Sequence, residues 1–187
     1  MRAAADLFAA EGYPAAGMDQ IGAAAGITGP AIYRHFDSKA AILAAVFDVI
    51  IDAVTAAPPD DPSAPNAEGV GAALSGATGE LLRLVRVYAD AVAARRRLMA
   101  VFVREVHHLP PEHASKLAER QRTLVRRWRA LLSGVHPEWD REVVRTTVHG
   151  CFGMLNALGT FDSAMTDDEL ADTLVVLARR MLDLPPG

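Results

Sequence analysis

Three consecutive residues, Tyr33, Arg34 and His35, carry hydrogen-bond donors in a short stretch with helical character. Phenol, guanidinium and imidazole groups donate to phosphate oxygens, and a guanidinium also donates to the edge of a base. The run from Thr28 to Ala31 just before them contains only small residues and one proline, and Lys39 adds a cation four residues after His35. Small side chains at the start of a helix permit close approach to a base edge. This combination is typical of a surface that binds nucleic acid.

The stretch 18–39 predicts two short helices that position these groups. Met18 and Ile21 fall on one helical face, and Gly26 follows where a helix end favours a left-handed residue. Ile27 is expected to be buried in the turn between the two helices.

A second helix is predicted to begin at Thr28, a good N-cap, with Pro30 in the first turn, where a missing backbone N–H costs nothing. Ile32 and Phe36 lie four residues apart and are expected to reach the core, so the donors between them face outward. Such a helix-turn-helix places its second helix against DNA, but a short helix pair joined at glycine is also an ordinary αα corner. The spacing alone leaves both interpretations open.

The run 26–36, GITGPAIYRHF, followed by Ser38 and Lys39, resembles the DNA-binding domain of the TetR family of repressors. The phrase over 5–13 also resembles the first helix of that family. The resemblance implies phosphate contacts from Tyr33, His35 and Lys39. It implies a face toward the major groove formed by Thr28, Gly29, Pro30, Ala31 and Arg34. In this second group, Arg34 is the one obvious candidate for hydrogen-bonded base readout.

Composition favours an all-α fold. The chain has 187 residues, 51% of them hydrophobic and 6% aromatic, and it lacks the alternating runs typical of strands. We expect an N-terminal three-helix helix-turn-helix domain over 1–47 and a C-terminal helical ligand-binding and dimerisation domain over 48–187. Chains of the family usually have a longer first helix, so the first helix here is expected to be truncated.

Apolar residues at three- and four-residue spacing predict the other helices. The first, over 3–12, braces the helix-turn-helix, and the fourth begins near Ser38 or Lys39 and connects the two domains. A stretch rich in Pro, Asp and small residues predicts a loop over 56–68. Further helices are predicted over 69–94, 95–108, 112–133, 140–160 and 167–182, the last with a capping box of Thr166 and Glu169.

Charge is distributed unevenly along a chain whose formal net charge is −4. The first 47 residues contain as cations Arg2, Arg34 and Lys39 and as anions Asp6, Glu11, Asp19 and Asp37. This module is not basic, which is a difficulty for a nucleic-acid reader. From Glu80 to Ser133, by contrast, there are twelve cations and five anions.

Salt bridges and solvated surface are the default explanation for this central positive charge. The alternative is an anion site at a pocket mouth, for a head group such as the phosphates of an acyl-CoA. Its candidate residues are Arg95, Arg96, Arg97, Arg104 and Arg127.

An effector pocket is expected in the second domain, mostly apolar and with few hydrogen-bonding groups. Its lining is predicted from Phe102, Leu124, Trp128, Phe152, Met154 and Phe161, any of which could instead be core. Asp48 and Asp52, four residues apart on the fourth helix, are either solvated surface or polar groups at the pocket floor.

The last two helices show more apolar face than one small core needs, which indicates a partner. The resemblance implies a homodimer built as a four-helix bundle from these two helices of each chain. The residues predicted to form it are Val148, Phe152, Leu155, Leu170, Leu174, Leu177 and Met181. A two-fold dimer in turn implies a palindromic operator.

No familiar catalytic or cofactor motif occurs in the sequence, so we expect neither an enzyme nor a cofactor. His107, His108 and His113 do not make a plausible zinc set, because adjacent helical residues diverge by about 100°, and no metal is expected. The lone Cys151 excludes an intrachain disulfide; it is interpreted as a small buried hydrophobe, with redox sensing as the alternative. Without a long apolar run or a signal peptide, the protein is expected to be cytoplasmic, with no membrane partner.

The resemblance therefore implies a ligand-responsive transcriptional regulator, a repressor, which binds a palindromic operator as a homodimer. A mostly apolar small-molecule effector, for which an acyl-CoA is one candidate, would release it. The alternative is a dimeric helical interaction protein that reads DNA weakly or not at all. A third class, an enzyme acting on an apolar substrate, is supported by no motif.

Overall fold

A computed structural model describes residues 1–55, 76–161 and 163–185. All regular elements in these ranges are helices, which confirms the all-α prediction. The α-helices are α1 (Arg2–Glu11), α2 (Met18–Ala24), α3 (Gly29–Ile32), α4 (Lys39–Thr55), α5 (Ala77–Ala93), α6 (Arg96–Glu105), α7 (Pro111–Val135), α8 (Arg141–Asn156) and α9 (Asp167–Met181). The predicted loop over 56–68 and the first part of the predicted helix over 69–94 lie outside the described residues.

The first three helices share one core. Phe8 of α1, Ile21 of α2 and Ile32 of α3 are all buried in it. α1 ends at Gly12, whose φ of 82° is in the left-handed region that favours glycine. The chain can then turn back so that α2 packs against α1, and α3 packs against α2.

The turn between α2 and α3 has the glycine geometry that the sequence predicts. Gly26 has a φ of 71° and donates its N–H to the Ala23 carbonyl oxygen at 3.0 Å. The N–H of Ile27 donates to the Gly22 carbonyl oxygen at 3.0 Å. These two bonds form the Schellman motif, which satisfies carbonyls at a helix end. The predicted burial of Ile27 is wrong, because its side chain is 38% exposed.

α3 is shorter than the predicted second helix. It begins after Thr28, whose carbonyl oxygen accepts from the Ala31 N–H at 2.9 Å, but the Thr28 side chain makes no capping bond. Beyond Ile32 the chain continues in helical turns, since the N–H groups of His35 and Phe36 both donate to the Ile32 carbonyl oxygen at 3.0 Å. The residues after α3 therefore lie on a hydrogen-bonded helical turn.

α4 connects the two halves of the chain without a break. It runs from Lys39 through Thr55, so it crosses the predicted boundary at residue 47 as one helix. Its N-terminal half packs against α1, and along its length it also contacts α5, α6 and α7. The division into domains at residue 47 stays a prediction.

The second half of the chain packs around α5, which contacts α4, α7, α8 and α9. An aromatic cluster lies at its centre: the Trp128 ring is 4.6 Å from that of Phe152 and 5.9 Å from that of Tyr88, measured between centroids. α8 ends at Asn156, before the predicted end of its helix, and a 3₁₀ turn over Ala157–Gly159 follows.

The N-terminus of α9 has the predicted capping box. The Thr166 hydroxyl accepts from the Glu169 N–H at 3.3 Å, and the Glu169 carboxylate accepts from the Thr166 N–H at 2.9 Å. These hydrogen bonds stabilise the charged form, and so the pKa of Glu169 is lowered.

Several arginines of the central region bridge helices. Arg86 of α5 pairs with Asp172 of α9 at 2.6 Å, and Arg127 of α7 pairs with Glu80 of α5 at 2.6 Å. Arg120 of α7 pairs with both Asp48 and Asp52 of α4. Those two aspartates are exposed, as expected for solvated surface. No helix within the described ranges has the length and apolar character needed to cross a membrane.

Candidate nucleic-acid interface and internal cavity

The donor-bearing residues after α3 lie together on one exposed surface. Tyr33 is 53% exposed, and Arg34 and His35 are exposed beside it. None of the three side chains has a hydrogen-bond or ion-pair partner within the described ranges. Thr28 and Pro30, at the start of α3, are also exposed. We call the surface formed by these five residues the reader surface. Its donors are available to a partner outside the chain.

Lys39 is held more tightly than these residues. Its Nζ donates to the carbonyl oxygens of Tyr13 at 2.7 Å and Pro14 at 3.1 Å, and it lies 4.5 Å from the centroid of the Tyr13 ring. These contacts fasten the N-terminus of α4 to the segment that follows α1. An ammonium group has three donors, so one remains for another acceptor.

α6 joins the helix-turn-helix to the second half of the chain. Arg97 lies 3.5 Å from the Asp6 carboxylate of α1, and Arg104 donates to the Ala9 carbonyl oxygen at 3.4 Å. Beyond the end of α6, the His108 ring is 5.0 Å from the Tyr13 ring. A shift of α6 would therefore be transmitted to α1 and to the segment that holds Lys39.

A cavity of about 510 Å³ lies in the second half of the chain and opens to solvent where Arg122 and Arg126 are exposed. This volume falls within the roughly 300–1,000 Å³ usual for small-molecule sites. Its apolar walls come from four helices and comprise Ile50, Ile51, Val54, Met99, Phe102, Leu124, Val125 and Phe152. The Phe102 ring contacts the Phe47 ring of α4 edge-on, with centroids 5.1 Å apart. The cavity is thus bounded directly by α4, the helix that leads from the reader surface.

The structure brings three of the six predicted pocket residues together. Phe102, Leu124 and Phe152 line the cavity. Trp128 is fully buried behind the wall, against Phe152. Met154 and Phe161 do not line it.

Phe161, which is 55% exposed, borders a separate surface recess between α1 and α6. Periodicity alone does not specify which apolar residue has a void beside it.

The polar groups of the cavity were not identified from the sequence. Tyr88 donates its hydroxyl to Asn156 Oδ1 at 2.7 Å, and burial raises the pKa of Tyr88. Three arginines of α7 line the cavity as well: Arg122, Arg126 and Arg129. Their spacing of four and three residues along one helix was a signal that could have found them.

The five arginines considered as an anion site do not line this cavity. Arg127 pairs with Glu80, Arg96 with Asp167 at 3.2 Å and Arg97 with Asp6. Arg95 and Arg104 donate to backbone carbonyls. Arg96, Arg97, Arg104 and Arg127 thus link separate segments of the chain, whereas the Arg95 contact is local; both agree with the default explanation for the central charge.

The residues predicted to form a dimer divide into two groups. Val148, Phe152, Leu155, Leu170 and Leu174 are buried within the chain. Leu177 and Met181 of α9 are 40% and 38% exposed, and Val176 beside them is also exposed. On α8, Gly150 lies next to Met181: an added Cβ would be 3.3 Å from its Cε. The exposed apolar surface of α8 and α9 is therefore smaller than predicted.

Cys151 is fully buried in α8. Burial raises the pKa of its thiol to about 12, which suppresses the reactive thiolate at neutral pH. This agrees with the interpretation as a small buried hydrophobe. Within the described ranges no group of three or more His, Cys, Asp or Glu side chains is arranged to hold a metal ion.

A helix-turn-helix with exposed donors, joined by one continuous helix to a larger helical half with an internal cavity, defines a class of DNA-binding regulator. Comparison with known sequences agrees. Residues 1–46 match the family described as bacterial regulatory proteins, tetR family, and residues 76–182 match the tetracyclin repressor-like C-terminal domain. The chain belongs to the TetR family of transcriptional regulators.

Individual relatives and structures agree with this assignment. A curated relative, the HTH-type transcriptional activator FasR of Mycolicibacterium smegmatis, is 44% identical over 50 residues; the match spans 27% of this chain and 23% of that protein. The crystal structure of a TetR-family regulator from Bordetella parapertussis superimposes with a TM-score of 0.74 at 23% identity and covers 100% of this chain and 95% of its own. AibR, solved in complex with isovaleryl coenzyme A and operator DNA, has a TM-score of 0.71 at 18% identity and covers 99% and 96%. At these identities the structures establish the fold.

Proposed function

We propose that the protein is a ligand-responsive repressor in the cytoplasm, without catalytic activity, that binds a palindromic operator as a homodimer. A mostly apolar small molecule in the cavity would release it from DNA. The observation that carries this proposal is the position of α4, which begins beside the reader surface and ends as a wall of the cavity.

On DNA, Tyr33, His35 and Lys39 would contact phosphates. Arg34 would donate to a base, while the small residues from Thr28 to Ala31 permit a close approach of the helix to the major groove. The exposure of Tyr33, Arg34 and His35 supports these roles. Lys39 would contribute its one remaining donor from the N-terminus of α4.

The dimer would form through α8 and α9. Val176, Leu177 and Met181 supply exposed apolar area on α9, and Gly153 of α8 leaves open space, since an added Cβ there would have no atom within 4 Å. A two-fold axis there would set the two reader surfaces against successive major grooves, about 34 Å apart.

The effector would act through α4 and α6. A ligand in the cavity touches Ile50, Ile51 and Val54 of α4 directly, and it touches Phe102, which packs against Phe47. Since α6 also contacts α1, a displacement of α4 or of α6 would alter the separation of the two reader surfaces in the dimer. Ligand and DNA would then oppose each other through a coupling free energy of about 1–3 kcal/mol.

Selection from random duplexes at low salt tests DNA recognition, and the expected result is one enriched palindrome. The absence of an enriched palindrome would overturn the proposal. The sign of regulation is a separate measurement, by transcription from the selected site with and without protein, because the curated relative is described as an activator. Native mass spectrometry of the purified dimer would detect a retained effector.

The dimeric interaction protein remains the second candidate function. It is favoured by the low positive charge of the first 47 residues and by the two carbonyl contacts that occupy Lys39. A protein that dimerises but enriches no duplex in the selection would support it.

A further inference from the structure

We propose that Arg122, Arg126 and Arg129 bind the head group of an amphiphilic anion whose apolar chain occupies the cavity. The inference rests on the proposed function, because it specifies the chemical class of the effector. The head group is expected to carry more than one anionic group, as in a phosphate-bearing acyl conjugate.

The three arginines lie on one face of α7. Their spacing of four and three residues aligns them along the helix, and all three side chains line the cavity. From the first to the last they span about 10 Å at 1.5 Å of rise per residue. A row of that length matches several anionic groups better than a single carboxylate.

Their partners distinguish them from the other arginines of the central region. Arg120 and Arg127, on the same helix, are paired with carboxylates of α4 and α5. Arg122 and Arg129 have no hydrogen-bond or ion-pair partner in the described parts of the chain, and Arg126 donates only to the Thr123 hydroxyl at 2.9 Å. Helix bridging therefore does not account for these three cations.

The surroundings of the arginines favour an anion. Among the described residues that line the cavity none is a carboxylate, so the positive charge there is uncompensated. Arg129 is half-buried, and a charge removed from water is costly unless it is paired. A guanidinium also matches the geometry of a phosphate with two parallel hydrogen bonds.

The rest of the cavity requires an apolar chain. Beyond the arginines most of its walls are aliphatic and aromatic side chains from α4, α6, α7 and α8, and the polar side chains among them are Gln121, His149, Asn156 and the hydroxyl of Tyr88. A purely ionic ligand would leave these walls unfilled, whereas an amphiphile uses both parts of the site.

The test uses the fluorescence of Trp128, which packs against the cavity-lining Phe152, in full-length protein with Trp139→Phe to remove the second tryptophan. Four probes are titrated in parallel: dodecanoyl-CoA, dodecanoate, dodecanol and CoA without an acyl chain. Calorimetry repeats each titration, so that binding without a change in emission is also detected.

Each titration is repeated on R122Q/R129Q and on a matched control, K116Q/R141Q. The control removes the same two charges from exposed residues that do not line the cavity. Circular dichroism and thermal unfolding verify that both variants fold as the parent does.

Dodecanoyl-CoA is expected to bind most tightly and to lose roughly tenfold or more in affinity in R122Q/R129Q, since charge-assisted hydrogen bonds are lost. The control should bind it like the parent, and the affinity for dodecanol should be the same in all proteins. Equal affinity of R122Q/R129Q and the parent for dodecanoyl-CoA would overturn the inference. So would CoA or dodecanol binding as tightly as dodecanoyl-CoA, dodecanoate matching dodecanoyl-CoA, or no binding of any probe.

The titrations contain no DNA. A protein that binds the anionic amphiphile but enriches no operator would contradict the proposed function and leave this inference standing. A protein that enriches an operator but binds none of the probes would contradict this inference and leave the proposed binding of DNA standing.

Discussion

The reader surface and the arginine row of α7 offer their partners very different amounts of charge. The module of 47 residues that carries the reader surface has three cations, and one of them, Lys39, already contacts two carbonyl oxygens of its own chain. The cavity has three arginines in a row without a carboxylate among the described residues that line it. Because electrostatic attraction dominates the affinity of many DNA-binding proteins, a reader surface with so little charge would have to depend on fit and, in the proposed dimer, on the spacing of two half-sites.

This comparison predicts that changes in dimer geometry have a larger effect on DNA binding than changes in the charge of the reader. The double variant L177E/M181E places charge on the exposed apolar surface of α9 and should produce monomers. Operator affinity should then fall by at least about 2 kcal/mol, the loss typical of a central interface residue. Sedimentation velocity measures the association state and fluorescence anisotropy the affinity.

A matched control for the dimer variant is V103E, which adds charge at an equally exposed apolar residue of α6. It should remain a dimer and bind the operator like the parent. An L177E/M181E protein that stays dimeric would show that the dimer forms elsewhere.

Arg34→Ala has the next largest expected effect, because the other residues proposed to face the bases lack a bidentate donor. Arg34→Ala should lower operator affinity by about 1–3 kcal/mol and relax specificity at one base pair of each half-site. Repeating the duplex selection with the variant checks both. A uniform loss across sequences would instead assign Arg34 to the phosphate backbone.

How far the sequence predicts this molecule depends on whether a feature is local. The α2–α3 turn was predictable because Gly26 alone satisfies a left-handed helix end, and the α9 capping box because Thr166 and Glu169 are three residues apart. The burial of Ile27 was mispredicted since an apolar side chain at a turn carries no information about what covers it. Local rules therefore sufficed for the backbone geometry of this turn and of the cap, but not for the burial of a side chain.

The cavity was less predictable because it depends on how separate helices meet. Leu124 and Trp128 are four residues apart and fall on the same face of α7, so periodicity does not distinguish them. Leu124 nevertheless lines the cavity, whereas Trp128 is buried behind its wall. Arg127 likewise differs from Arg129 because it pairs with Glu80, which is 47 residues away from it in the chain. No periodicity of α7 alone encodes that partner.

A variant of Lys39 tests whether this cation has two roles, one in fastening α4 to the segment after α1 and one in the proposed contact with a phosphate. Lys39→Gln removes the bonds to the Tyr13 and Pro14 carbonyls and the proposed phosphate contact, so operator affinity should fall by about 1–2 kcal/mol. The dependence of log affinity on log salt separates the two roles, because loss of one phosphate contact lowers the slope by about 1. An unchanged slope, together with a lower melting temperature, would show that Lys39 only fastens α4 to the rest of the module.

Tyr33→Phe is a milder change at the same surface, since it deletes one hydroxyl and retains the ring. Loss of a single phosphate hydrogen bond should weaken operator binding by about 0.5–1.5 kcal/mol, uniformly across sequences. The fold and the dimer should be intact because Tyr33 is exposed. Unchanged affinity at matched salt would remove Tyr33 from the set of phosphate contacts.

The smallest expected effect is at Arg120, which links α7 to α4 through Asp48 and Asp52. Arg120→Gln should change the free energy of unfolding by less than about 1 kcal/mol, because both aspartates are exposed and Arg120 is itself about one-third exposed. The proposed mechanism requires α4 to move relative to the cavity, so loss of this link should lower the effector concentration for half-release from DNA, by up to about fivefold.

Arg86→Gln is the control, since it breaks the link from α5 to α9 and leaves α4 untouched. If both variants release DNA at the effector concentration of the parent, α4 and α7 do not separate during release, and the response must pass through α6 instead.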